Sequence, residues 1–332
     1  MSLGVKVKRR CGEQFRKLLV ETDAFDRSRK ISSDESHIYM PVRPLDEEEM
    51  DRLRRLSDFE LVEMDFHPEE QVVCPEGLLG YRPSFEAVGD IAVVEDERAE
   101  EVASALMSCC RSIKAVIAPI SDVEGEFRTR RFRHIAGEKR TITTHKEHGL
   151  RYRVDLEGAY FTPRLGTERL RVAEQVNPSD VVLDMFAGVG PFSLLFAKRG
   201  ARVIAIEKNP VAVKYLKENA LLNKIQDIEI LEGDAADLAP RYENMADHVI
   251  MNLPHSAAQF LIPAMRAARN GGVIHYYAIA PEESLYRDAD LIKKASEQLG
   301  FSVNLIHQGI VRSYAPKRYN VVIEFSVRKP SN

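Results

Sequence analysis

Hydrophobic residues in the carboxyl-terminal half of the chain occur in short runs separated by longer amphipathic stretches. The runs have the length and composition of buried strands, and the stretches between them have helical spacing. This alternation, which begins near Thr167, predicts a parallel sheet with helices on both faces. The predicted strands are 181–184, 202–206, 228–231, 249–252 and 273–278, and the predicted helices are 192–198, 210–222 and 257–268.

The end of the chain departs from this alternation. Residues 301–308 and 319–327 both have the pattern of strands, and no helical stretch separates them. Two successive strands joined by a short connection pair antiparallel, so we expect such a pair to close the parallel sheet. This arrangement is typical of class I (Rossmann-like) methyltransferases, and it predicts an α/β fold of that class for residues 166–332.

Two smaller units are predicted upstream of this domain. Residues 1–66 alternate strand, helix, strand, helix and strand, which predicts a small α/β module. A stretch with proline and glycine, 67–83, is predicted to be a linker. Residues 84–165 are predicted to form an α+β domain, in which 141–145 and 150–155 pair across a turn at Glu147-His-Gly149.

Charge is distributed unevenly along the chain. The 332 residues carry a net charge of −4, which argues against a uniformly basic nucleic-acid-binding protein. Residues 127–153, however, contain nine lysines and arginines against two acids, so this segment alone carries +7. A local positive field on an acidic protein fits a polyanionic ligand bound at one face, while a solvated strand face is the simpler alternative.

The remaining composition suggests a cytoplasmic protein. No apolar run is long enough to span a membrane, and the amino terminus lacks the apolar core of a signal peptide. The four cysteines show no metal-ligand spacing, and the adjacent pair Cys109-Cys110 lies in a helical pattern that favours packing over a disulfide. We therefore expect a reducing environment and no metal in the chemistry.

The turn after the first strand of the parallel sheet has the composition of a cofactor-binding turn. Asp184 ends the strand, and Gly188-Val-Gly190 leads into the following helix. Glycine permits close approach of the backbone to a ligand at the carboxyl end of a strand. Pro191 comes next and leaves no third glycine for the pyrophosphate-binding Gly-x-Gly-x-x-Gly pattern. The turn alone fits NAD or S-adenosylmethionine (SAM), and the missing glycine favours SAM.

Polar residues at four successive strand ends sharpen this prediction. Asp184 can hold the charged amino-acid end of the cofactor, directly or through water, and Glu207 can accept hydrogen bonds from a ribose diol. Asp234 can meet the adenine amino group, and Asn252 faces the same predicted crevice. Each residue alone has the alternative of a helix cap or a solvated loop acid. Together they predict one crevice with SAM as the cofactor.

Several motifs resemble those of the archaeal and eukaryotic tRNA guanine-N1 methyltransferases, which modify the guanosine 3′ of the anticodon, position 37. The cofactor motifs, Asp184-Met-Phe-Ala-Gly-Val-Gly-Pro-Phe192 and Asn252-Leu-Pro254, are widely shared, and His275-Tyr-Tyr277 accompanies them. The upstream motifs are the specific ones, and the resemblance covers essentially the whole chain. They are Gly125-Glu-Phe-Arg-Thr-Arg130, His134-Ile-Ala-Gly-Glu138, Thr144-His-Lys-Glu147, and Tyr160-Phe-Thr-Pro-Arg-Leu-Gly-Thr-Glu-Arg169; Val311-Arg-Ser-Tyr-Ala-Pro316 fits downstream.

The resemblance implies roles for individual residues. Guanine N1 carries a proton at neutral pH, so the reaction requires a base at N1 and a cation near O6. The resemblance assigns the base to Glu168 and the O6 partner to Arg128, with Asn252 holding the extruded guanine. From the sequence alone, a first-turn helix acid behind a Thr167 cap is the better explanation of Glu168, and the resemblance reverses that preference. The motif also places Phe186, Gly188, Gly190 and Pro254 with Asp184, Glu207, Asp234 and Asn252 at the cofactor.

RNA binding is expected along the basic segment and at the amino terminus. Tyr160 is a stacking or hinge candidate, with a place in the strand core as the equal alternative. In the family the small amino-terminal module contacts the outer corner of the tRNA, and the protein is a monomer. The candidate RNA-binding residues are Arg130, Arg133, Lys139, Arg140, Lys146, Tyr160, Arg164, Lys6 and Arg9.

Two other functions remain open at this stage. A wyosine-pathway relative on the same fold transfers the aminocarboxypropyl group of SAM instead of its methyl group. Asn252-Leu-Pro254 at the fourth strand favours methyl transfer, by resemblance. A non-catalytic RNA-binding module is the third possibility, but it would not require Asp184, Glu207, Asp234 and Glu168 together.

Overall fold

The computed structural model describes residues 1–68, 74–121 and 125–330 of the chain. It divides into two compact units, Met1–Val73 and Cys74–Asn332. Within the described ranges, no helix is both long enough and apolar enough to cross a membrane.

The amino-terminal unit is a four-stranded sheet with two helices. Alternating residues of its strands and one face of each helix supply the core, which includes Val5, Phe15, Met40 and Leu53. The strand order is β2-β3-β1-β4, and all neighbouring strands are antiparallel. The elements are β1 (Ser2–Lys8), α1 (Gly12–Glu21), β2 (Ser32–Ser33), β3 (His37–Pro41), α2 (Glu47–Leu56) and β4 (Glu60–Met64). The predicted strand and helix order is confirmed, with the short β2 added.

Cys74–Asn332 begins with a mixed four-stranded sheet of order β5-β6-β7-β8. Only β6 and β7 are parallel, because a helix connects them, whereas the other pairs are antiparallel. A separate antiparallel hairpin, β9-β10, carries the predicted 141–155 pairing. The elements are α3 (Pro75–Leu79), β5 (Phe85–Val88), β6 (Ile91–Val94), α4 (Ala99–Cys109), β7 (Ala115–Pro119), β8 (Phe132–Gly137), β9 (Ile142–Glu147) and β10 (Leu150–Asp155).

The carboxyl-terminal part is a seven-stranded sheet of order β13-β12-β11-β14-β15-β17-β16. Its first five strands are parallel, and β17 inserts antiparallel between β15 and β16, as the class I fold requires. The strands are β11 (Val181–Asp184), β12 (Arg202–Glu207), β13 (Ile228–Glu232), β14 (Ala246–Met251), β15 (Ala268–Pro281), β16 (Ser302–Ala315) and β17 (Arg318–Arg328). The helices are α5 (Gly166–Ala173), α6 (Ser193–Lys198), α7 (Pro210–Leu222), α8 (Ala235–Leu238), α9 (Leu261–Ala267) and α10 (Ala289–Gln298).

One hydrophobic core joins the two parts of this larger unit. Val88 and Ile117 from the four-stranded sheet lie in the same buried cluster as Val182 and Val203 of the seven-stranded sheet. The predicted boundary between residues 165 and 166 therefore does not separate two compact units. A buried ion pair adds to this connection, since Arg169 of α5 donates to both carboxylate oxygens of Glu147 at the end of β9, at 2.7 and 2.5 Å.

Three local predictions differ from the structure. The predicted linker 67–83 contains a helix, α3, which starts at Pro75 and ends before Gly80 in a left-handed conformation with φ of 72°; residues 69–73 of it lie outside the described part. The strand predicted at 301–308 continues to Ala315, so the hairpin turn is tighter than expected. The α5 helix begins at Gly166, not after a Thr167 cap, because the Thr162 hydroxyl caps the preceding turn at the Arg164 amide.

Candidate functional site

A cavity opens at the carboxyl ends of the parallel strands, where the fold class places ligand sites. Its walls come from the turn after β11, the ends of β12 and β14, the segment before α5 and the β16-β17 hairpin. Eight predicted site residues line it and are thus brought together by the fold. They are Arg128, Tyr160, Phe186, Gly188, Glu207, Asp234, Asn252 and Pro254.

The turn after β11 places a backbone amide beside a carboxylate. Gly188 has a left-handed φ of 56°, and its amide donates to Oε2 of Glu207 at 2.7 Å. The other Glu207 oxygen accepts from the Asn209 amide at 2.8 Å. Burial raises the pKa of Glu207 above its ordinary value, and these amide hydrogen bonds act in the opposite direction. A Cβ at Gly188 would have no neighbour nearer than 4.0 Å, which leaves room for a ligand against the turn.

Asp234 follows the third strand and has two local partners. Its carboxylate caps α8 by accepting from the Ala236 amide at 2.9 Å, and it forms an ion pair with Lys208 at 2.9 Å. Lys208 also contacts Glu126. Amide donation and then the lysine hold the pKa of Asp234 below its ordinary value, so it is anionic at neutral pH. Apolar walls lie nearby, where the Phe186 ring packs edge-on against Phe260 with centroids 4.9 Å apart.

These residues fit the adenosine portion of SAM. A carboxylate at the end of β12 suits a ribose diol, and aromatic and proline side chains suit a flat base. The open space at Gly188 gives the cofactor access to the turn.

Two predicted cofactor residues do not line the cavity. Asp184 is 1% exposed, and its carboxylate accepts from the Ser193 hydroxyl at 2.6 Å, so it braces the turn against α6. Burial raises the pKa of Asp184 to about 7. Gly190 packs inward, where a Cβ would lie 2.3 Å from the Leu216 side chain. The turn directs both residues towards the protein interior, so their predicted contact with the cofactor stays a prediction.

Glu168 also lies behind the cavity wall, on the first turn of α5. Arg171 donates to both of its carboxylate oxygens, at 2.8 and 2.7 Å, and the buried Tyr277 hydroxyl donates to Oε1 at 2.8 Å. The neighbouring residues Leu165 and Arg169 line the cavity, whereas Glu168 does not. Its predicted role as the base stays a prediction.

A buried polar chain continues from this carboxylate. Arg171 also donates from Nη2 to Oε1 of Glu324, on β17, at 2.6 Å, and so bridges the two carboxylates. Glu324 Oε1 lies 2.8 Å from His275 Nδ1, and His275 Nε2 lies 3.0 Å from His248 Nδ1. Burial acts to raise the pKa of Glu324, but the hydrogen bonds from His275 and Arg171 outweigh it and hold this pKa far below its ordinary value. Glu324 is therefore a fixed negative charge that positions Arg171.

Arg128 and Tyr160 form one wall of the cavity. The Arg128 guanidinium lies over the Tyr160 ring, 5.1 Å from its centroid, and its Nε is buried without a hydrogen-bond partner among the described residues. Arg128 also has a left-handed φ of 55°, an uncommon conformation for a residue other than glycine. A strained, incompletely bonded cation beside a ligand cavity is a functional candidate.

Most of the basic residues predicted to bind RNA are paired with acids. Arg130 contacts Glu95, and the other pairs have nitrogen–oxygen distances of 2.6 to 3.4 Å. These pairs are Lys6–Glu60, Arg133–Glu100, Arg140–Asp90 and Arg164–Glu86. Lys139, Lys146 and Arg9 are exposed. Most of these pairs are exposed, and exposed ion pairs contribute little to stability, whereas the Arg140–Asp90 pair is partly buried.

Comparison with known proteins identifies the family. Residues 143–304 match the TRM5/TYW2 methyltransferase domain, 4–51 the tRNA methyltransferase 5 N-terminal domain, and 71–141 the TYW2 N-terminal domain. The chain is 39% identical to the tRNA (guanine(37)-N(1))-methyltransferase Trm5b of Pyrococcus abyssi, over 98% of this chain and 99% of that protein. The chain belongs to the TRM5/TYW2 methyltransferase family. SAM is the cofactor of this family, and the predicted fold class and family are confirmed.

Two further relatives define the range of the family. The structure of aTrm5 with tRNALeu aligns with a TM-score of 0.69 at 33% identity, covering 98% of this chain and 99% of that one. A tRNA(Phe) (4-demethylwyosine(37)-C(7)) aminocarboxypropyltransferase of Pyrococcus horikoshii is 35% identical over 59% of this chain and 75% of that protein. The relatives of this chain thus include both methyl and aminocarboxypropyl transferases.

The sequence prediction missed several residues of the site. Asn209 caps α7 and donates to the Gly158 carbonyl at 2.8 Å, and the Asn-Pro pair at the helix start was the available indication. Arg312, Tyr314 and Asn320 reach the cavity from the β16-β17 hairpin. Arg312 and Tyr314 belong to the motif Val311–Pro316, whereas Asn320 lies beyond it, and nothing in the sequence indicates which sides of the strands face the site. In the described part of the chain, no cluster of three or more histidine, cysteine or acidic residues could hold a metal ion.

Proposed function

We propose that this protein transfers the methyl group of SAM to N1 of guanosine 37 of tRNA. The observation that carries the proposal is the match to Pyrococcus abyssi Trm5b, a tRNA (guanine(37)-N(1))-methyltransferase, because it spans 98% of this chain and 99% of that protein. The match includes the amino-terminal module, for which residues 4–51 fit the tRNA methyltransferase 5 N-terminal domain. The Pyrococcus horikoshii aminocarboxypropyltransferase matches only 59% of this chain, which favours methyl transfer.

The cofactor side of the cavity is built by the turn after β11 and two strand ends. Glu207, held by the Gly188 and Asn209 amides, is proposed to accept from the ribose hydroxyls, and Asp234 to face the adenine. Phe186 and Pro254 would enclose the base from the apolar side. Bound SAM supplies an electrophilic methyl group on a positively charged sulfur.

The acceptor side must make a weak nucleophile reactive. Guanine N1 is protonated at neutral pH, so its proton has to leave as the methyl group arrives. Glu168 is proposed as the base, and its hydrogen bonds from Tyr277 and Arg171 fix the orientation of its carboxylate. Because these partners occupy Glu168 and it lies behind the wall, tRNA binding is expected to move the start of α5 towards the cavity.

Arg128 and Asn252 are proposed to hold the guanine. Removing the N1 proton shifts negative charge onto O6, and a guanidinium stabilises an oxyanion in a site that excludes water. The unpartnered Arg128 Nε has the donor capacity for this contact. Asn252, directly after β14, offers an amide donor and acceptor for the base edge. The guanine must leave the anticodon loop to reach the site.

The exposed basic residues are proposed to bind the RNA backbone. Lys139, Lys146 and the arginines of the middle region would contact the anticodon stem and loop, and Lys6 and Arg9 the outer corner of the tRNA. Tyr160, 39% exposed, would stack on a nucleotide. A monomer in the cytoplasm remains part of this proposal.

The test uses two radiolabelled cofactors and matched tRNA transcripts. Label in the SAM methyl group should enter a transcript with guanosine at position 37, and label in the SAM carboxyl group should not. Transfer of the carboxyl label to tRNA that carries 4-demethylwyosine at position 37, the substrate in the name of the Pyrococcus horikoshii relative, would instead identify the aminocarboxypropyl reaction. A transcript with adenosine at position 37 is the control, and methylation of that transcript but not of the guanosine transcript would contradict the proposal. Absence of both labels from all of these tRNAs, together with tRNA binding, would indicate a non-catalytic RNA-binding protein.

A further inference from the structure

A second cavity adjoins the first and is lined mainly by arginines, aromatic residues and two acids. We call it the arginine cavity, and its charged residues are Arg128, Arg130, Arg164, Arg312, Glu86 and Glu95. Six residues line both cavities and form the boundary between them: Arg128, Tyr160, Phe161, Thr162, Arg312 and Tyr314. Four guanidiniums against two carboxylates leave the arginine cavity with a surplus of positive charge.

The two carboxylates are already occupied. Glu95 pairs with Arg130, while Glu86 accepts from the Thr162 hydroxyl at 2.6 Å and lies 3.4 Å from Arg164. Across the described ranges, the side chains of Arg128 and Arg312 have no ion pair and no hydrogen bond, and the Nε of each is buried. Two incompletely bonded guanidiniums thus flank one cavity, which is costly unless an anion completes them.

Arg312 is held in place by the hairpin on which it lies. It pairs across the strands with Asn320, which is 3% exposed, lines the first cavity and has an unpartnered Oδ1. Tyr314, on the same strand, packs edge-on against His255 with ring centroids 5.5 Å apart. A guanidinium presented by a paired strand is better positioned than one on a loop, because the backbone on both sides is fixed.

From these contacts we propose that the arginine cavity binds the phosphodiester next to the target guanosine, with Arg312 as its main partner. Arg312 is then a substrate-positioning residue. The inference rests on the proposed function, since it assumes an extruded nucleotide in the first cavity. A planar guanidinium matches a phosphate with two parallel hydrogen bonds, and Tyr160 and Tyr314 provide aromatic surfaces for the neighbouring nucleotide.

The carboxylate of SAM is the competing anion for Arg312. The distribution of residues favours the phosphodiester, because the proposed cofactor partners Gly188, Glu207 and Asp234 line the first cavity and not the arginine cavity. An anion that reached Arg312 from the first cavity would also leave the surplus positive charge of the arginine cavity without a partner.

The test combines Arg312→Gln with tRNA carrying a single neutral methylphosphonate on the 5′ or the 3′ side of guanosine 37. Arg312→Gln should weaken tRNA binding about 10- to 100-fold and leave the SAM dissociation constant unchanged, which also shows that the variant folds. The slope of log affinity against log salt should fall by about 0.7 to 0.9 for one lost phosphate contact. Arg328→Gln, at the exposed far end of the same hairpin, should change neither quantity.

The methylphosphonate identifies the contact. One of the two modified tRNAs should bind the wild-type protein as weakly as unmodified tRNA binds Arg312→Gln. The affinity of Arg312→Gln for that same modified tRNA should be no lower than its affinity for unmodified tRNA. Independent losses at both positions would overturn the inference, and so would a rise in the SAM dissociation constant with unchanged tRNA affinity. These are binding measurements, so failure of the proposed methylation would be seen separately, in the radiolabel assay.

Discussion

The Tyr277 hydroxyl, on the central strand β15, donates to Oε1 of Glu168, on the first turn of α5, across 2.8 Å. Burial, and then the negative charge of Glu168, raise the pKa of Tyr277 well above its ordinary value, so the hydroxyl remains a donor throughout the physiological range. Arg171 donates to both oxygens of the same carboxylate, so Glu168 is held by hydrogen bonds from two elements of the fold.

The first prediction concerns this carboxylate. Glu168→Gln should lower kcat for tRNA methylation by about 10²- to 10⁴-fold, as expected for loss of a general base. The SAM dissociation constant should not change, because Glu168 does not line the cavity. Single-turnover kinetics and equilibrium SAM binding measure the two quantities. Glu174→Gln, an exposed acid at the end of the same helix, is the matched control.

Tyr277→Phe extends this prediction to the hydrogen bond itself. Loss of one buried donor should cost about 1 kcal/mol of stability and lower kcat severalfold. In the double variant with Glu168→Gln, the tyrosine change should have little further effect on kcat. Full additivity of the two losses would mean that Tyr277 acts independently of Glu168.

The second prediction concerns pH. Asp184 has a pKa of about 7 when folded against 3.8 for an exposed aspartate, so the folded state retains its proton over a range in which the unfolded state has lost it. Its contribution to stability is therefore present below about pH 4 and is lost as pH rises towards 7. Asp184→Asn mimics the protonated form, so its stability does not fall in this way as pH rises. Between pH 4 and pH values above 7, the stability of the variant relative to wild type should therefore increase by up to about 4 kcal/mol.

Urea unfolding at several pH values between 4 and 8.5 tests the difference between the two proteins. Other titrating groups, such as His248 and Glu207, are present in both and cancel to first order. Asp237→Asn, at an exposed position, should give a difference that does not vary over this range. A constant difference for Asp184→Asn would show that its carboxyl is ionised in the folded protein.

The third prediction separates the two glycines of the cofactor turn. Gly190→Ala places a Cβ 2.3 Å from the Leu216 side chain at a φ of 93°, so overpacking and backbone strain should together cost about 2–4 kcal/mol. Gly188→Ala has space for its Cβ and should cost only about 1 kcal/mol, but the methyl group enters the cavity.

Thermal unfolding and SAM titration distinguish these effects. Gly188→Ala should raise the SAM dissociation constant about tenfold or more, whereas Gly190→Ala should act mainly on stability. The reverse pattern would mean that Gly190, not Gly188, faces the cofactor.

The fourth prediction uses the division at residue 73. All the described residues that line the first cavity lie in the unit Cys74–Asn332. Expressed alone, residues 74–332 should therefore bind SAM with unchanged affinity, while kcat/KM for tRNA falls because Lys6 and Arg9 are absent. In the full chain, Lys6→Gln with Arg9→Gln should reproduce part of that fall. Weaker SAM binding by the shorter protein would contradict the independence of the two units.

The sequence predicted the middle of the sheet well because β11, β14 and β15 are largely buried, and such strands have apolar runs. α7 was predicted at its observed bounds, since an Asn-Pro start and an apolar face define it. The strand β8 was not predicted, because its burial does not alternate regularly and Arg133 and His134 interrupt its apolar residues. The α10 helix was also missed, as few of its residues are apolar.

The site was predicted less completely, for a physical reason. Strand spacing shows that Asp184 ends a strand, but it does not show that the side chain turns inward to Ser193. Likewise, the spacing of the glycines does not show that a Cβ at Gly188 would face open space, whereas a Cβ at Gly190 would clash with Leu216. Such distinctions depend on which element packs on the other side of the turn, and that information lies far away in the sequence.

The shared core that includes Val88 and Val182 has a practical consequence for protein engineering. The strands within residues 84–165 carry residues of this core, so this region cannot be transplanted between relatives as an independent cassette without disturbing the packing beneath the cofactor turn. Exchange at the junction between Val73 and Cys74 leaves that core intact, because its described members all lie from Val88 onwards. Replacement of the amino-terminal module is therefore the simpler exchange between relatives, since the packing of this core does not change.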